Sequence, residues 1–444
     1  MAKNKIKEGL FSGFYKLDRS ERLKRLTECF DLDAEALELL ANDNSLPFEL
    51  SDLFVENSIG SFSLPFGIVT NVLLNDHEYI VPFAVEESSV IAASSNACKW
   101  IKESGGFRST ITPGYMIGQI QILDVAPEKM DEVSEALLHN KDQIISLCNQ
   151  LHPRLVERGG GTKGMEVKSF PEAEIPFMTL HLLIDTREAM GANLINTACE
   201  KVAPLVEKIS GARVGLRILS NLADSKLTTV TCKVRPELLS EKGKDNGREI
   251  AQKIVEAYVF AKHDPHRAAT HNKGIMNGVD PVVIATGNDW RANEAGFHAF
   301  ACQEGRYQSL SEWRIDENQL LEGKLTLPLQ LGTVGGITRL HPTAKFSLAM
   351  MGNPTSEKLA QLATATGLAS NLAALRALTT TGIQAGHMKL HAKNIALAAG
   401  ARGAKIELVA NAMIKSQNIS QTEAERLLKA PNVSVAENFQ HSKI

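Results

Sequence analysis

Hydrophobic positions along the chain change their period several times, and each change marks a predicted element. Residues 17 to 43, LDRSERLKRLTECFDLDAEALELLAND, place apolar side chains at three- and four-residue intervals among charges, which predicts an amphipathic helix and then a second, shorter one. DHEYIVPFAVEESSVIAASSNACKWIKESGG passes from a strand-like stretch into a helix-like one. Glu86, Glu87 and Ser89 fall at that changeover, where side chains are able to point into a cleft.

From about 109 to 219 the text changes character. It runs YMIGQIQILDV, the helical EKMDEVSEALLHNKDQIISLCNQL, a turn and strand RGGGTKGMEVKSF, then MTLHLLIDT, the helical AMGANLINTACEKVAPLVEKI, and ARVGLRILS. Strand, helix, strand, strand, helix, strand is the order of a split βαβ or ferredoxin-like unit, and its size suits a separate domain. Strand-like TTVTCKVR and the helix REIAQKIVEAYVFAKH follow, then a Gly- and Asn-rich loop region and an Ala/Leu helix from about 355 to 375. The last 60 or so residues read as helical, with Ser420 and Glu423 spaced as a capping box before AERLLKA. No internal repeat or low-complexity segment interrupts the chain.

Composition narrows the class. At 444 residues the chain is long for one core, and roughly 100 to 200 residues per domain predicts two or three. With 43% hydrophobic and 22% charged residues it reads as a soluble globular protein. A net charge of -3, with no long run of like sign, argues against nucleic acid or an anionic membrane as partner. Cys29, Cys98, Cys148, Cys199, Cys232 and Cys302 include no CxxC pair, against a disulfide framework or a zinc knuckle and in favour of a reducing cytoplasm. Neither a signal-peptide core nor a run of roughly 18 apolar residues is present, so no membrane span is expected.

Three groups of residues carry candidate chemistry. Residues 266 to 296, HRAATHNKGIMNGVDPVVIATGNDWRANEAG, crowd Arg267, Lys273, Asn277, Asp289 and Arg291 among glycines and small residues. A solvated loop would have the same composition, but an apolar strand, PVVIAT, delivering GNDW at its end favours a placed carboxylate. The Gly-rich runs RGGGTKG, EAMGANLINT and GTVGGIT match neither GxGxxG nor GxxxxGK[ST], so neither a Rossmann nor a P-loop assignment is supported. AMGAN nevertheless follows the apolar LHLLID and opens a helix, so its free N–H groups suit a pyrophosphate; a helix start used for packing is the alternative. Finally, GHMKLHA places His387 and His391 on one helix face as in HExxH, but with Met388 where a metalloprotease needs Glu. Metal ligands, ordinary helix-face rings and a proton donor all remain open for that pair.

Taken together, ENSIGSFSLPFG (56 to 67), VEESSVIAAS (85 to 94), EAMGAN (188 to 193), RAATHNKGIMNG (267 to 278), TGNDWRA (286 to 292), GTVGGIT (332 to 338) and GHMKLHA (386 to 392) resemble the 3-hydroxy-3-methylglutaryl-CoA reductase family, in its soluble bacterial and archaeal class II. The segments stand in family order and span nearly the whole chain. The resemblance implies a mixed α/β (α+β) fold. A large acyl-CoA-binding domain, 1–110 and 220–378, is interrupted by a small ferredoxin-like NAD(P)-binding domain, 111–219, and followed by a helical C-terminal flap, 379–444. It also implies a cytoplasmic homodimer with active sites at the subunit interface and no metal.

The implied reaction reduces (S)-3-hydroxy-3-methylglutaryl-CoA to (R)-mevalonate and CoA in two hydride transfers, by way of a hemithioacetal and an aldehyde. Hydride arriving at the carbonyl carbon leaves negative charge on oxygen, so a fixed cation there is the largest expected catalytic term. By resemblance that cation is Lys273, Glu87 supplies the proton to the carbonyl oxygen, and Asp289 holds both in one network. His387 protonates the departing CoA thiolate, whose conjugate thiol has a pKa of about 8.5, and His391 supports it. The acyl group is expected on Arg267, Ser89, Asn277 and Asn371. The cofactor is expected on Met190, Gly191, Asn193 and Asn221.

Departures from the family pattern are EAMG for DAMG at Glu188 and EESS for EEPS at Ser88. In NQLHPRLVERGGG, members preferring NADH carry an acidic residue for the ribose, whereas this loop offers His152, Arg154 and Arg158, cations that favour the 2′-phosphate of NADPH over NADH. Two rival readings are the same enzyme run oxidatively in mevalonate catabolism and a non-catalytic acyl-CoA-binding protein.

Overall fold

Alternating apolar residues build two separate sheets, and the chain leaves the first to complete the second before returning. The computed structural model describes residues 6, 9–43, 46–240, 246–380 and 383–429, without the side chains of 383–390. Helices α1 (Arg19–Cys29) and α2 (Ala34–Ala41) open the chain as the 17 to 43 pattern predicts. A capping box starts α1: the Glu21 N–H donates to Asp18 Oδ1 at 2.8 Å, and the Asp18 N–H donates to Glu21 Oε2 at 3.3 Å. After α3 (Phe48–Phe54), strands β1 (Phe66–Leu74) and β2 (His77–Ala84), helix α4 (Val90–Glu103) and strand β3 (Phe107–Thr112) begin the larger sheet.

There the chain departs. It forms β4 (Met116–Leu123), α5 (Met130–His139), α6 (Lys141–Gln150), the short α7 (Pro153–Glu157), β5 (Gly161–Phe170), β6 (Phe177–Asp185), α8 (Ala192–Ser210) and β7 (Arg213–Ser220). This is the element order expected between 109 and 219. Its four-stranded sheet runs β5-β6-β4-β7 with all neighbours antiparallel, a ferredoxin-like arrangement. Buried and half-exposed positions alternate strictly along β4, so Met116, Ile120 and Ile122 join a core with Leu137, Ile144, Ile195 and Val202 from the helices.

Strands β8 (Leu227–Val234), β9 (Ser311–Ile315) and β10 (Leu321–Leu327) return to the larger sheet, ordered β2-β1-β3-β8-β10-β9. Helices α9 (Gly247–His263), α10 (Pro265–Ala285), α11 (Trp290–Phe300), α12 (Gly336–Leu340), α13 (Pro342–Met350) and α14 (Ser356–Thr379) accompany it. Its core includes the fully buried Phe83, Phe107, Phe297 and Trp313. The chain continues into α15 (Ile383–Ala398), α16 (Ala404–Lys415) and α17 (Gln421–Lys429), which gather around Ala392, Val409, Ala410 and Met413. Ser420 caps α17 by accepting the Glu423 N–H at 3.3 Å, but the Glu423 carboxylate turns to Arg426 at 2.7 Å, so half of the expected capping box is used. None of the six cysteines is in a disulfide. Among the described residues no helix is long and apolar enough to cross a membrane.

One expectation is overturned. Residues 266 to 296 do not form a Gly-rich loop ending in a strand: HRAATHNKGIMNGVDPVVIA is the body of α10, and GNDW joins it to α11. The reason lies in packing. Buried residues occupy most of the circumference of α10, from Ala268 through Ile275 and Val279 to Val283, which blurs the 3.6-residue period. Its glycines serve contact rather than turns: a Cβ on Gly278 would run into the Thr366 carbonyl of α14, and Thr366 Oγ1 donates to the Gly278 carbonyl at 2.7 Å.

The same helix carries a buried acid. Asp280 of α10 faces Glu294 of α11, which itself contacts His298 Nε2 at 2.6 Å, and Asp280 Oδ1 has no hydrogen-bond partner. Burial, then the hydrogen bond and charge of Glu294, raise the Asp280 pKa far above the usual carboxylate value, so it stays protonated when folded. The unfolded chain ionises this group above about pH 4 while the folded chain does not, so its contribution lowers stability progressively as pH rises from there. Asp280→Asn should raise the thermal midpoint at pH 8, with the gain shrinking towards pH 4; calorimetry across that range reads both.

Candidate active site

The turn between β2 and α4 supplies the first acid. Ser89 caps α4 at φ 73°, a left-handed conformation that costs a non-glycine residue roughly 1–2 kcal/mol. Glu87 faces α10 across this turn, and its Oε2 accepts from Lys273 Nζ at 2.5 Å. The pair stays reachable, with side-chain exposures of 58% for the lysine and 38% for the glutamate.

Helical spacing sets the rest. Asp264 caps α10 by accepting the Arg267 N–H at 2.7 Å, and from there Thr270 and His271, then Gly274, then Asn277 lie three or four residues on from one another along one face. Opposite them stand Ser370, Asn371 and Ala374 of α14. Together with Glu87, Ser89 and Lys273 these residues line one cavity of about 260 Å³. Arg267 has no ion-pair partner among the described residues, and partial burial lowers its pKa. An unpaired, half-buried guanidinium is suited to a carboxylate ligand. Glu87, Ser89, Arg267, Lys273, Asn277 and Asn371, all expected at the acyl site, are thus brought together. Thr270 and His271 were missed because a stretch read as loop gives no face to follow, and Ser370 because the Ala/Leu helix that carries it is buried on most sides.

Asp289 stands elsewhere. It caps α11 by accepting the Ala292 N–H at 3.1 Å and pairs with Arg291 at 3.3 Å. Burial alone would raise its pKa, but the Ala292 N–H and the Arg291 guanidinium outweigh that and hold it below the usual carboxylate range. The expected network with Glu87 and Lys273 is therefore not made within one copy of the chain. Lys273 and the C-terminus of α10 are separated by about 18 Å of helix, so the distance is built into the element.

Asp289 instead belongs with the predicted cofactor residues. The Gly332 N–H donates to Asn288 Oδ1 at 2.7 Å, and Asn288 Nδ2 donates to the Gly332 carbonyl at 3.1 Å. Gly332 lies against the backbone of Met190, and Gln330 Nε2 donates to the Asn221 carbonyl. Gly191 opens α8 at φ 96°, and a Cβ there would strike the Thr186 side chain, so glycine is required for the turn. Asn193 and Asn221 are exposed beside it. Arg187 Nη2 donates to the Gly159 carbonyl at 2.7 Å, which pins the loop carrying the exposed Arg154 and Arg158 to this turn. Neither Arg154 nor Arg158 has a carboxylate partner among the described residues. Free N–H groups at the start of a 19-residue helix, with unpaired arginines near, fit a dinucleotide phosphate.

His387 lies on α15, and its side chain is outside the described residues. His391, one turn on, is exposed. No group of three or more His, Cys, Asp or Glu among the described residues is arranged to hold a metal ion.

The family model for hydroxymethylglutaryl-coenzyme A reductase matches residues 18–392. The chain belongs to this family. The reductase of Archaeoglobus fulgidus is 44% identical over 417 residues, 94% of this chain and 93% of that one. A probable reductase from Borreliella burgdorferi is 36% identical over 86% of this chain and 88% of its own length. Among solved structures, the reductase of Streptococcus pneumoniae superposes with a TM-score of 0.80 at 43% identity, over 94% of this chain and 99% of that one. A second structure of the class II enzyme from that organism, bound to NADPH in open conformations, gives a TM-score of 0.80 at 44% identity, over 83% of this chain and 100% of that one. The chain is accordingly an oxidoreductase of the class II hydroxymethylglutaryl-CoA reductases, with their mixed α/β fold.

Against that family pattern the longer Glu188 has a definite use. Its Oε2 accepts the Ser356 N–H at 2.7 Å and the Thr333 hydroxyl at 3.1 Å, and so caps α14 from the turn that starts α8. Glu188→Ala should cost about 1–2 kcal/mol of stability in a denaturant titration, whereas Glu188→Asp, too short by one methylene, should recover only part of it.

Proposed function

We propose that the cavity around Lys273 holds the acyl group of hydroxymethylglutaryl-CoA and that the start of α8 in a second copy of the chain holds the nicotinamide nucleotide. The observation that carries this reading is the Lys273–Glu87 contact at 2.5 Å in a cavity that also contains the unpaired Arg267. The nucleotide, when bound, supplies the hydride for each of the two reductions that take the thioester to mevalonate. NADPH is favoured over NADH by Arg154 and Arg158, whose charges suit a 2′-phosphate. The class II relative bound to NADPH is in accord with that preference.

Each residue then has a definite task. Arg267 pairs the free carboxylate of the acyl chain, with Ser89, Asn277 and Asn371 adding hydrogen bonds to its oxygens. The Lys273 ammonium stands where the carbonyl oxygen becomes anionic, and its charge lowers the barrier because it is already in place. Glu87, hydrogen-bonded to Lys273, passes a proton to that oxygen. His387 on α15 protonates the CoA sulfur as the hemithioacetal breaks down to the aldehyde, which frees thiol rather than thiolate. In a flap made of α15 to α17 this histidine could withdraw between the two reductions and let the spent nucleotide leave.

Asp289 reaches the lysine only from a second copy. Within one chain it sits with Met190, Gly191, Asn193 and Asn221, apart from the cavity, so a two-fold dimer would set the acyl half of one copy against the nucleotide half of the other. The exposed apolar residues near residues 56 to 67 suit such an interface, since Ile59 is 101% and Phe62 94% exposed.

Purified protein should consume NADPH faster than NADH, and only with hydroxymethylglutaryl-CoA present, in an absorbance assay that EDTA leaves unchanged. Lys273→Ala should lower turnover by about 10³-fold while acyl-CoA binding stays within a few-fold. Mixing Lys273→Ala with Asp289→Ala subunits should recover up to about a quarter of wild-type activity, because half the dimers then hold one intact site. No recovery in freely exchanging subunits would place both residues in the same copy and overturn the shared site.

A further inference from the structure

The far wall of the acyl cavity is more constrained than its lining shows. Asn371 of α14 is 1% exposed, and three side chains behind it fix its amide. Trp313 Nε1 of β9 donates to Asn371 Oδ1 at 2.7 Å, and the Ser311 hydroxyl donates to the same oxygen at 2.9 Å. Ser311 Oγ also lies 2.7 Å from His271 Nε2, which in turn is 3.1 Å from Asn371 Nδ2.

We propose that Trp313, Ser311 and His271 are positioning residues that lock the Asn371 amide, so that it meets the acyl group only as a hydrogen-bond donor. The indole N–H decides the orientation. It has no acceptor form, so the group it bonds on Asn371 must be the oxygen, and turning the amide over would set N–H against N–H in a buried site. With Ser311 the oxygen has both lone pairs engaged. The amide nitrogen carries two hydrogens and His271 Nε2 meets at most one, which leaves an N–H for the cavity. The ligand atom opposite is therefore an oxygen lone pair.

His271 suits this place because it carries no charge there. Burial first, and the Arg267 guanidinium second, lower its pKa to about 3, so the ring stays neutral at working pH. An imidazolium would add a second cation beside Arg267, with its extra proton on the buried Nδ1, which has no hydrogen-bond partner. The wall thus pairs one charged anchor for the carboxylate with a neutral, oriented donor for a second oxygen, which is a basis for selecting acyl chains that carry both.

The lock rests on Asn371 being an acyl contact, as proposed above, and a double-mutant cycle separates the two claims. Trp313→Phe should raise the KM for hydroxymethylglutaryl-CoA about tenfold, the scale of one buried hydrogen bond, while kcat and the nucleotide KM stay within about twofold. Ser311→Ala should raise the same KM about threefold, and it carries the test if Trp313→Phe does not fold. In an Asn371→Ala background neither substitution should have any further effect on KM. An equal effect in that background, or an unchanged KM in the folded single variants, overturns the lock and leaves the acyl-site reading standing. An unchanged KM in Asn371→Ala alone removes Asn371 from the acyl site, and the lock with it.

Discussion

The approach of α10 to α14 is the constraint on which the site depends. Gly278 lets the two backbones come close enough for Thr366 Oγ1 to donate to its carbonyl, and Gly367 packs against Val279 from the other side. A larger residue at either position would force the helices apart. Lys273, Arg267 and Asn277 ride on one helix and Ser370 and Asn371 on the other, so the width of the cavity is set by this contact. Catalytic side chains held on paired helices are placed more accurately than on loops.

The same two helices connect the parts of the chain that the chemistry needs. The start of α14 is capped by Glu188 from the turn before α8, its later half lines the cavity, and its end leads towards α15 and His387. The first half of α10 carries Lys273, and its end leads to Asp289. One chain therefore presents the proposed acyl half and the proposed nucleotide half along long rigid elements. Straight helices keep the halves apart, and in the proposed dimer this separation is what makes two copies necessary.

Several buried polar groups hold one another in place. Asn371, Ser311, His271 and Trp313 hydrogen-bond to one another in the wall of the cavity, and Asn293 holds Gln330 beside the proposed nucleotide half. Asp280 is different: beside Glu294 it keeps a proton and leaves one oxygen without a partner. The structure gives no physical account of why an amide does not occupy that position.

Much of this was legible in the residues. Alternation in YMIGQIQILDV and the periodic runs around it gave the order of the inserted unit, and seven spaced segments gave the family. Such signals are local, since period and motif spacing are properties of neighbours along the chain. The nature of residues 266 to 296 was not legible. A helix buried on nearly every side shows no amphipathic stripe, and glycines that permit close packing are spelled like glycines that make turns. For the same reason the cavity face running through Thr270 and His271, and the lock on Asn371 from β9, could be found only after folding. Sequence determined which chemical groups are present and in what order; tertiary structure decided which of them meet, because hydrogen bonds and close contacts are set by distances in space, as between Ser94 and Ser370, 276 positions apart along the chain.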